Sequence, residues 1–215
     1  MIRTRFTPFF LLPAMFVSLG AETLTPSRGS SSITVRLYNV AEAPDNRVAR
    51  ATAEASEIFE RVGVSVTWLD CSGPVPQAEC NAVRGAAVVN LRLMPAHMQP
   101  KQLPRGIFGF AVMSTKGGFS SIANVYIERV SEISDGRKYR RDVLLGSMMA
   151  HELGHLLLGA NSHSKKGLMT LPWGPKVLLA ADRGMLSFSK SEALKIVKAV
   201  QERRQAVERS VATRL

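Results

Sequence analysis

The stretch His151-Glu152-Leu153-Gly154-His155 is the part of this chain that most strongly constrains its fold. Side chains four residues apart on an α-helix lie one turn above each other on the same face, so His151 and His155 can point at a common centre. Both imidazoles are metal ligands in their neutral form. Glu152 lies beside such a centre and not on it. The five residues therefore predict a helix that carries two ligands and a neighbouring carboxylate for one metal ion.

The segments on either side of this stretch, residues 143–150 and 156–158, are apolar and favour a helix buried on most sides. Two histidines and a glutamate on such a helix are costly to bury unless a metal or another charge accompanies them. A metal centre is therefore favoured over a helix whose histidines only find hydrogen-bond partners. A catalytic zinc ion takes three protein ligands and leaves a fourth position open. A third ligand must therefore come from outside the stretch.

The third ligand is expected from the segment that follows the helix. Gly159 is suited to end the helix in the left-handed conformation and to turn the chain back, which would bring His163 to the metal. Asp182 and Glu192 are the alternatives, although neither has a recognisable flanking motif. Met169 is either a residue beneath the metal or an ordinary core methionine.

This order of residues resembles the metzincin clan of zinc peptidases, whose HExxHxxGxxH string is followed by a methionine in a tight turn under the metal. The spacing here is HExxHxxxGxxxH, with one extra residue before the glycine and one after it. An extra helical residue rotates the helix end by about 100° and adds about 1.5 Å, which the longer loop has to absorb. The chain as a whole also resembles uncharacterised secreted bacterial proteins assigned to the zinc proteases by motif.

The resemblance implies a zincin-like domain in which His151, His155 and His163 hold Zn²⁺ and Met169 lies beneath them. It also implies that Glu152 takes a proton from a water molecule that zinc activates. The expected function is that of a secreted zinc-dependent endopeptidase acting on peptide or protein substrates.

Two other functions stay open at this point. One is a secreted zinc-containing binding or structural module without activity, which the intact Glu152 disfavours because only catalysis needs that carboxylate. The other is a zinc hydrolase of a non-peptide amide bond, such as one in cell-wall material. The sequence does not separate this second alternative from proteolysis.

The first 21 residues have the pattern of a secretory signal peptide. Arg3 and Arg5 precede an apolar run over residues 6–17, and small residues follow it. The run is short and contains two prolines, so a stable membrane span is not expected. We therefore expect a secreted or periplasmic protein, with residues 22–32 as a flexible lead-in and residues 33–215 as the zincin-like domain.

The cysteines fit such a compartment. Cys71 and Cys80 flank a stretch with Gly73, Pro74 and Pro76 between two strand-like runs, so a disulfide is expected outside the cytosol. Free thiols are the alternative.

The chain is basic, with 28 Lys and Arg against 17 Asp and Glu and a net charge of +11. The basic residues are scattered, and no zinc-finger pattern or basic run interleaved with aromatic residues occurs, so nucleic-acid binding is not expected. The charge favours a solvated surface, with at most loose association with anionic surfaces.

Alternating apolar and polar residues predict that the domain begins as strand, helix, strand, strand. These elements are expected at residues 33–38, from Asp45 or Asn46 to Arg61, at residues 64–69 and at residues 86–93. A brief strand within residues 107–112 and another at 121–127 are expected before the site helix. In metzincins, which this order resembles, a mixed sheet carries an edge strand that lines the cleft.

Two helices are predicted after the site. A short one covers residues 176–182, and a final one begins near Lys190 with an apolar stripe that docks on the core: Ile196, Val200, Val207 and Val211. His97 is expected at the surface. The predicted fold class is therefore α+β and zincin-like, with a mixed twisted sheet, a site helix that carries HExxH and a C-terminal helical part.

Overall fold

The computed structural model describes residues 31–73, 78–115, 118–134 and 139–212. The predicted signal peptide, residues 1–21, lies outside the described residues. So does the predicted lead-in up to residue 30. Its last two residues, Ser31 and Ser32, already belong to the first strand.

Five strands form one sheet in the order β2-β1-β3-β5-β4. Neighbouring strands run parallel, except that the edge strand β4 runs antiparallel to β5. The strands are β1 (Ser31–Asn39), β2 (Val64–Asp70), β3 (Val88–Met94), β4 (Gly109–Val112) and β5 (Ile122–Tyr126).

Six α-helices accompany the sheet in the described ranges. The helices are α1 (Asp45–Glu60), α2 (Ala78–Ala82), α3 (Ile127–Ser134), α4 (Arg141–Leu158), α5 (Pro175–Asp182) and α6 (Lys190–Ala212), with a 3₁₀ turn at Ala96–Met98. The α+β fold class with a mixed sheet is confirmed. None of the helices in the described ranges combines the length and the apolar character that a membrane crossing requires.

The inward face of the sheet explains the alternation of the first strand. Ile33, Val35 and Leu37 of β1 are buried, and the residues between them are half-buried. Val35 pairs with Val89 and Leu37 with Leu91 on β3, so the apolar face continues across the strands. Helices α1 and α4 pack against each other over this face. A Cβ at Gly146 of α4 would lie 2.5 Å from the carbonyl oxygen of Ala51, so only glycine permits so close a crossing.

The order of elements differs from the prediction at two places. Helix α3 lies between β5 and the site helix, where the sequence reading placed none. It begins at Ile127, directly after the last strand residue, so its buried Ile127 continued the apolar pattern of the strand. Helix α2 is only five residues long, too short to give a periodic signal, and it carries Cys80. The predicted disulfide between Cys71 and Cys80 is confirmed and ties α2 to the end of β2.

The final helix is held by a buried cation that the apolar stripe did not reveal. Ile196 and Val200 are buried as expected, and Arg203 one turn further is only 1% exposed. Its guanidinium donates to the carbonyl oxygens of Ala86, Ser120 and Leu156 over 2.7–2.9 Å. Burial lowers the pKa of Arg203 to about 10. Arg203 therefore joins the starts of two strands to the last turn of α4, whose final carbonyls lack partners within the helix.

Replacing Arg203 by methionine tests this anchor. The Arg203→Met variant leaves three carbonyl oxygens without their donor. The hydrogen bond to Leu156 is buried, and a buried orphan costs about 1–3 kcal/mol, whereas those to Ala86 and Ser120 are part-buried and cost less. We therefore expect the free energy of unfolding to fall by about 1–3 kcal/mol, measured by denaturant titration with a chelator present.

Lys198→Met on the same helix is the matched control. The Lys198 side chain is 77% exposed and pairs with Glu202 only at 3.8 Å, so its loss should change the free energy of unfolding by less than about 0.5 kcal/mol. Equal effects of the two substitutions would contradict the anchoring role of Arg203.

Candidate metal centre

Two histidines face each other on the buried helix α4. His151 is buried and His155 is half-buried, and their Nε2 atoms lie 3.1 Å apart. The opposite nitrogen of each ring has its own partner. Nδ1 of His151 lies 2.8 Å from the carbonyl oxygen of Leu168, and Nδ1 of His155 lies 2.8 Å from Oγ of Ser162. Both rings are therefore held from behind, with Nε2 directed at the shared space.

The loop after α4 brings a third imidazole to this space. The ring centroid of His163 lies 4.6 Å from that of His155 and 5.6 Å from that of His151. One nitrogen from each of the three rings lies within 4.8 Å of those of the other two. His163 is exposed, so the group opens to solvent on its side. The longer spacing of the HExxHxxxGxxxH string is therefore compatible with convergence of all three histidines.

The loop turns through two residues with positive φ. Helix α4 ends at Leu158, and the amide of Gly159 donates to the carbonyl oxygen of His155 over 3.0 Å. Gly159 has φ 87° and ψ −175°. The expected left-handed helical conformation is therefore wrong in ψ, although the conformation adopted is also one that only glycine enters readily. Asn161, at φ 56°, makes the second turn. The extra loop residue supplies the length for this path.

Met169 packs against the site helix at Gly154. It is fully buried, and a Cβ added at Gly154 would lie 2.9 Å from its Sδ. The glycine inside the HELGH stretch is thus the position at which the helix and the methionine approach. The preceding residue, Leu168, carries the carbonyl that meets His151. The methionine segment therefore supports the first histidine through its main chain.

The alternative third ligands have other partners. Asp182 accepts a hydrogen bond from the amide of Arg140 at the start of α4 and also pairs with the Arg140 side chain. Glu192 accepts from the amide of Ser189 over 2.6 Å at the start of α6. Within the described ranges, the cluster of potential metal ligands consists of the three histidines and includes neither carboxylate. His97 is exposed in the 3₁₀ turn, in agreement with the surface position expected.

The protonation state of the three imidazole rings is compatible with binding of a cation. A carbonyl oxygen can only accept, so Nδ1 of His151 carries its proton and Nε2 keeps a lone pair. Burial lowers the pKa of His151 to about 4 and that of His155 to about 3, and it also lowers the pKa of His163. The rings are therefore neutral near pH 7. Three neutral imidazoles whose nitrogens converge can each direct a lone pair at one cation, so this donor set suits a metal ion that prefers imidazole nitrogen.

Glu152 lies beside the three histidines in an apolar environment. Its side chain is buried, and Oε2 has no hydrogen-bond partner among the described residues. Burial raises the pKa of Glu152 to about 8. A positive charge at the histidines would lower this pKa, because the attraction favours the carboxylate form. Gly109 on the edge strand makes room for this side chain, since a Cβ there would lie 2.8 Å from Cγ of Glu152.

The histidines and Glu152 line a cleft of about 690 Å³. One wall is the edge strand β4 with the residues that precede it, and the other includes residues 171–173. Phe108 and Trp173 face each other with ring centroids 6.2 Å apart, and the Trp173 ring lies 6.0 Å from that of His151. The sequence alone did not indicate four residues near the site: Phe108, Trp173, Gly109 and Ser162. The run Gly106-Ile107-Phe108-Gly109-Phe110, which leads into β4, was the available signal for this wall.

Comparisons with known proteins give distant structural likenesses. No protein-family model and no curated protein matches this chain. Among solved structures, the fold is similar to that of an archaemetzincin from Methanopyrus kandleri, with 18% sequence identity and a TM-score of 0.48 over 83% of this chain and 99% of that chain. It is also similar to that of myroilysin, with 13% identity and a TM-score of 0.31 over 76% of this chain and 71% of that chain. At such values the functional assignment depends on this chain's own residues.

The contact between Glu152 and the edge strand generates a prediction. In Gly109→Ala the new methyl group would lie 2.3 Å from the carbonyl oxygen of Asn124 as well as against Glu152, so β4 has to shift. We expect the free energy of unfolding to fall by about 1–3 kcal/mol, the usual cost of overpacking, in a denaturant titration with chelator.

Gly174→Ala is the control, because it also lies next to the cleft wall but has φ −76° and nothing within 4 Å of the added carbon. It should unfold with a free energy within about 0.5 kcal/mol of the parent. A Gly109→Ala variant as stable as Gly174→Ala would show that Glu152 does not lie against the strand.

Proposed function

We propose that this protein is a secreted zinc-dependent endopeptidase of the zincin type. The observation that carries the proposal is the convergence of three imidazoles in one cleft that is also lined by a buried carboxylate, whose Oε2 has no hydrogen-bond partner among the described residues. His151, His155 and His163 would hold the metal, and their neutral nitrogens are the donors that zinc takes in catalytic sites with three protein ligands. Bound zinc would acidify a water molecule and polarise a carbonyl group.

Glu152 is assigned the proton transfer. Its carboxylate follows His151 directly on the helix and makes no ion pair within the described ranges. In the proposed reaction Glu152 accepts a proton from the attacking water and delivers it to the nitrogen of the leaving amine, so that the C–N bond breaks as an amine and a carboxylic acid form. An apolar environment makes the carboxylate a stronger base than it is in water.

The substrate is assigned as an extended peptide. Strand β4 pairs with β5 on one side only and lies at the edge of the sheet, and its residues 109–111 line the cleft. An extended peptide could add to this edge by main-chain hydrogen bonds, which depend little on its side chains. The aromatic wall of Phe108 and Trp173 then offers apolar contact to one substrate side chain. This strand favours a peptide over the non-peptide amide, which remains the second candidate substrate.

Secretion is part of the proposal. The disulfide between Cys71 and Cys80 suits an oxidising compartment. The signal pattern of residues 1–21 agrees with it, although these residues lie outside the described ranges. The basic charge of the chain is compatible with loose contact to anionic surfaces.

The ligand assignment predicts the metal content of a set of variants. The purified parent should bind one zinc ion, and His151→Ala, His155→Ala and His163→Ala should each lose tight binding, because each leaves two protein ligands. Zinc is measured by elemental analysis after dialysis against zinc and then against a weak chelator.

Asp182→Asn and Glu192→Gln are the matched controls, since they keep the size of the side chain and remove its charge. Both should retain zinc at the level of the parent. Loss of zinc in either control, with His163→Ala unaffected, would replace His163 by that carboxylate and leave the helix ligands intact. Stoichiometric zinc in the His151→Ala/His155→Ala double variant would overturn the assignment.

The role of Glu152 predicts a separation of binding from turnover. Glu152→Gln should keep zinc and fold, while hydrolysis of a mixed peptide library falls by at least about 10²-fold, the usual effect of losing a general base. Mass spectrometry of the library measures the cleavage.

Unchanged cleavage by Glu152→Gln would contradict the assigned role. A zinc-loaded parent that leaves every peptide intact but cleaves amide bonds in cell-wall fragments would favour the second candidate. A zinc-loaded parent inert towards both would be a binding module.

A further inference from the structure

The loop that carries His163 has few connections to the rest of the molecule. The amide of Gly159 donates to the carbonyl oxygen of His155, and the amide of Ser164 donates to that of Met169 over 2.9 Å. Between them, residues 160–163 make no hydrogen bond between main-chain groups in the described part of the chain. Among the described residues, their one hydrogen bond to α4 joins Ser162 Oγ to Nδ1 of His155 over 2.8 Å.

We propose that Ser162 is a positioning residue of the metal centre, which holds His155 through its hydroxyl group and thereby fixes the loop that presents His163. The proposal rests on the proposed function, because it takes the three histidines as ligands. Ser162 touches no substrate and binds no metal in this account. It acts through the two histidines.

The direction of the hydrogen bond follows from the other side of the ring. Nε2 of His155 faces Nε2 of His151 and must keep its lone pair to bind a metal, so the ring proton of His155 is on Nδ1. Nδ1 therefore donates and Ser162 Oγ accepts. His151 is held in the same manner by the carbonyl oxygen of Leu168. The two helical ligands thus have equivalent supports, one from the main chain and one from a side chain.

The position of Ser162 in the sequence couples two ligands. Ser162 directly precedes His163, so the hydrogen bond that orients His155 also holds the peptide unit from which the exposed His163 extends. Gly159 and Asn161, with their positive φ values, turn the loop so that Ser162 faces the helix. Loss of the hydroxyl group is therefore expected to loosen the second and the third ligand together.

Removing the hydroxyl group tests the proposal. Ser162→Ala should lower zinc affinity by about 10–100-fold, the usual effect of losing a partner of a ligating histidine, measured by competition with a chromophoric chelator. The absorption bands of the cobalt-loaded variant should also shift relative to the parent, because the orientation of two ligands changes. Ser162→Thr keeps a hydroxyl group and should restore most of the affinity and the parent's spectrum.

Ser164→Ala is the control within the same loop. Its Oγ donates to the carbonyl oxygen of Lys166 over 2.7 Å and makes no hydrogen bond to a histidine of the described chain, so zinc affinity and the cobalt spectrum should match the parent. The unfolding of each metal-free variant, followed by circular dichroism, establishes that the fold is retained.

The outcomes separate this proposal from the proposed function. If the parent binds zinc and cobalt but Ser162→Ala equals it in affinity and spectrum, the role of Ser162 is overturned and the metal centre stands. Equal losses in Ser162→Ala and Ser164→Ala, or no recovery in Ser162→Thr, would also overturn it. A parent that binds neither metal would overturn both.

Discussion

The Nε2 atoms of two neutral imidazoles, His151 and His155, face each other over 3.1 Å on one side of the apolar helix α4. The rest of the site is arranged around that contact. Burial holds the pKa of both rings well below 7, so each ring is neutral near neutral pH and keeps a lone pair on one nitrogen. A metal ion among the three histidines would be bound by these lone pairs. The partners at Leu168 and Ser162 hold the rings in this orientation from behind.

Three glycines and one arginine allow the fold to keep these groups together. Gly146 lets α4 approach α1, Gly154 lets Met169 lie against the helix, and Gly109 leaves room for Glu152 beside the edge strand. At the C-terminal end of α4, Arg203 donates hydrogen bonds to the carbonyl oxygen of Leu156 and to two carbonyl oxygens just before strands β3 and β5. The site helix is thus held along its length by close contacts. An added side-chain carbon at one of the glycines, or the loss of the arginine donor, is expected to destabilise the fold.

Some of these features follow from local sequence, and others do not. Helical periodicity alone places His151 and His155 on one face, and strand alternation finds β1, because both depend on neighbours within a few residues. Helix α3 escaped detection because it continues a strand without a break. An apolar stripe cannot predict the burial of Arg203, because a buried cation is recognisable only through the distant carbonyls that it binds. Ser162 reaches His155 only because two positive φ values turn the loop, and no residue pattern specifies that path.

The decisive measurement is diffraction from crystals grown with zinc, recorded on both sides of the zinc absorption edge. We expect one strong anomalous peak with a nitrogen of His151, His155 and His163 each at about 2.0–2.1 Å, while Glu152 lies beside the peak without binding it. A peak bound by Glu192 or Asp182 in place of His163, or one away from α4, would contradict it.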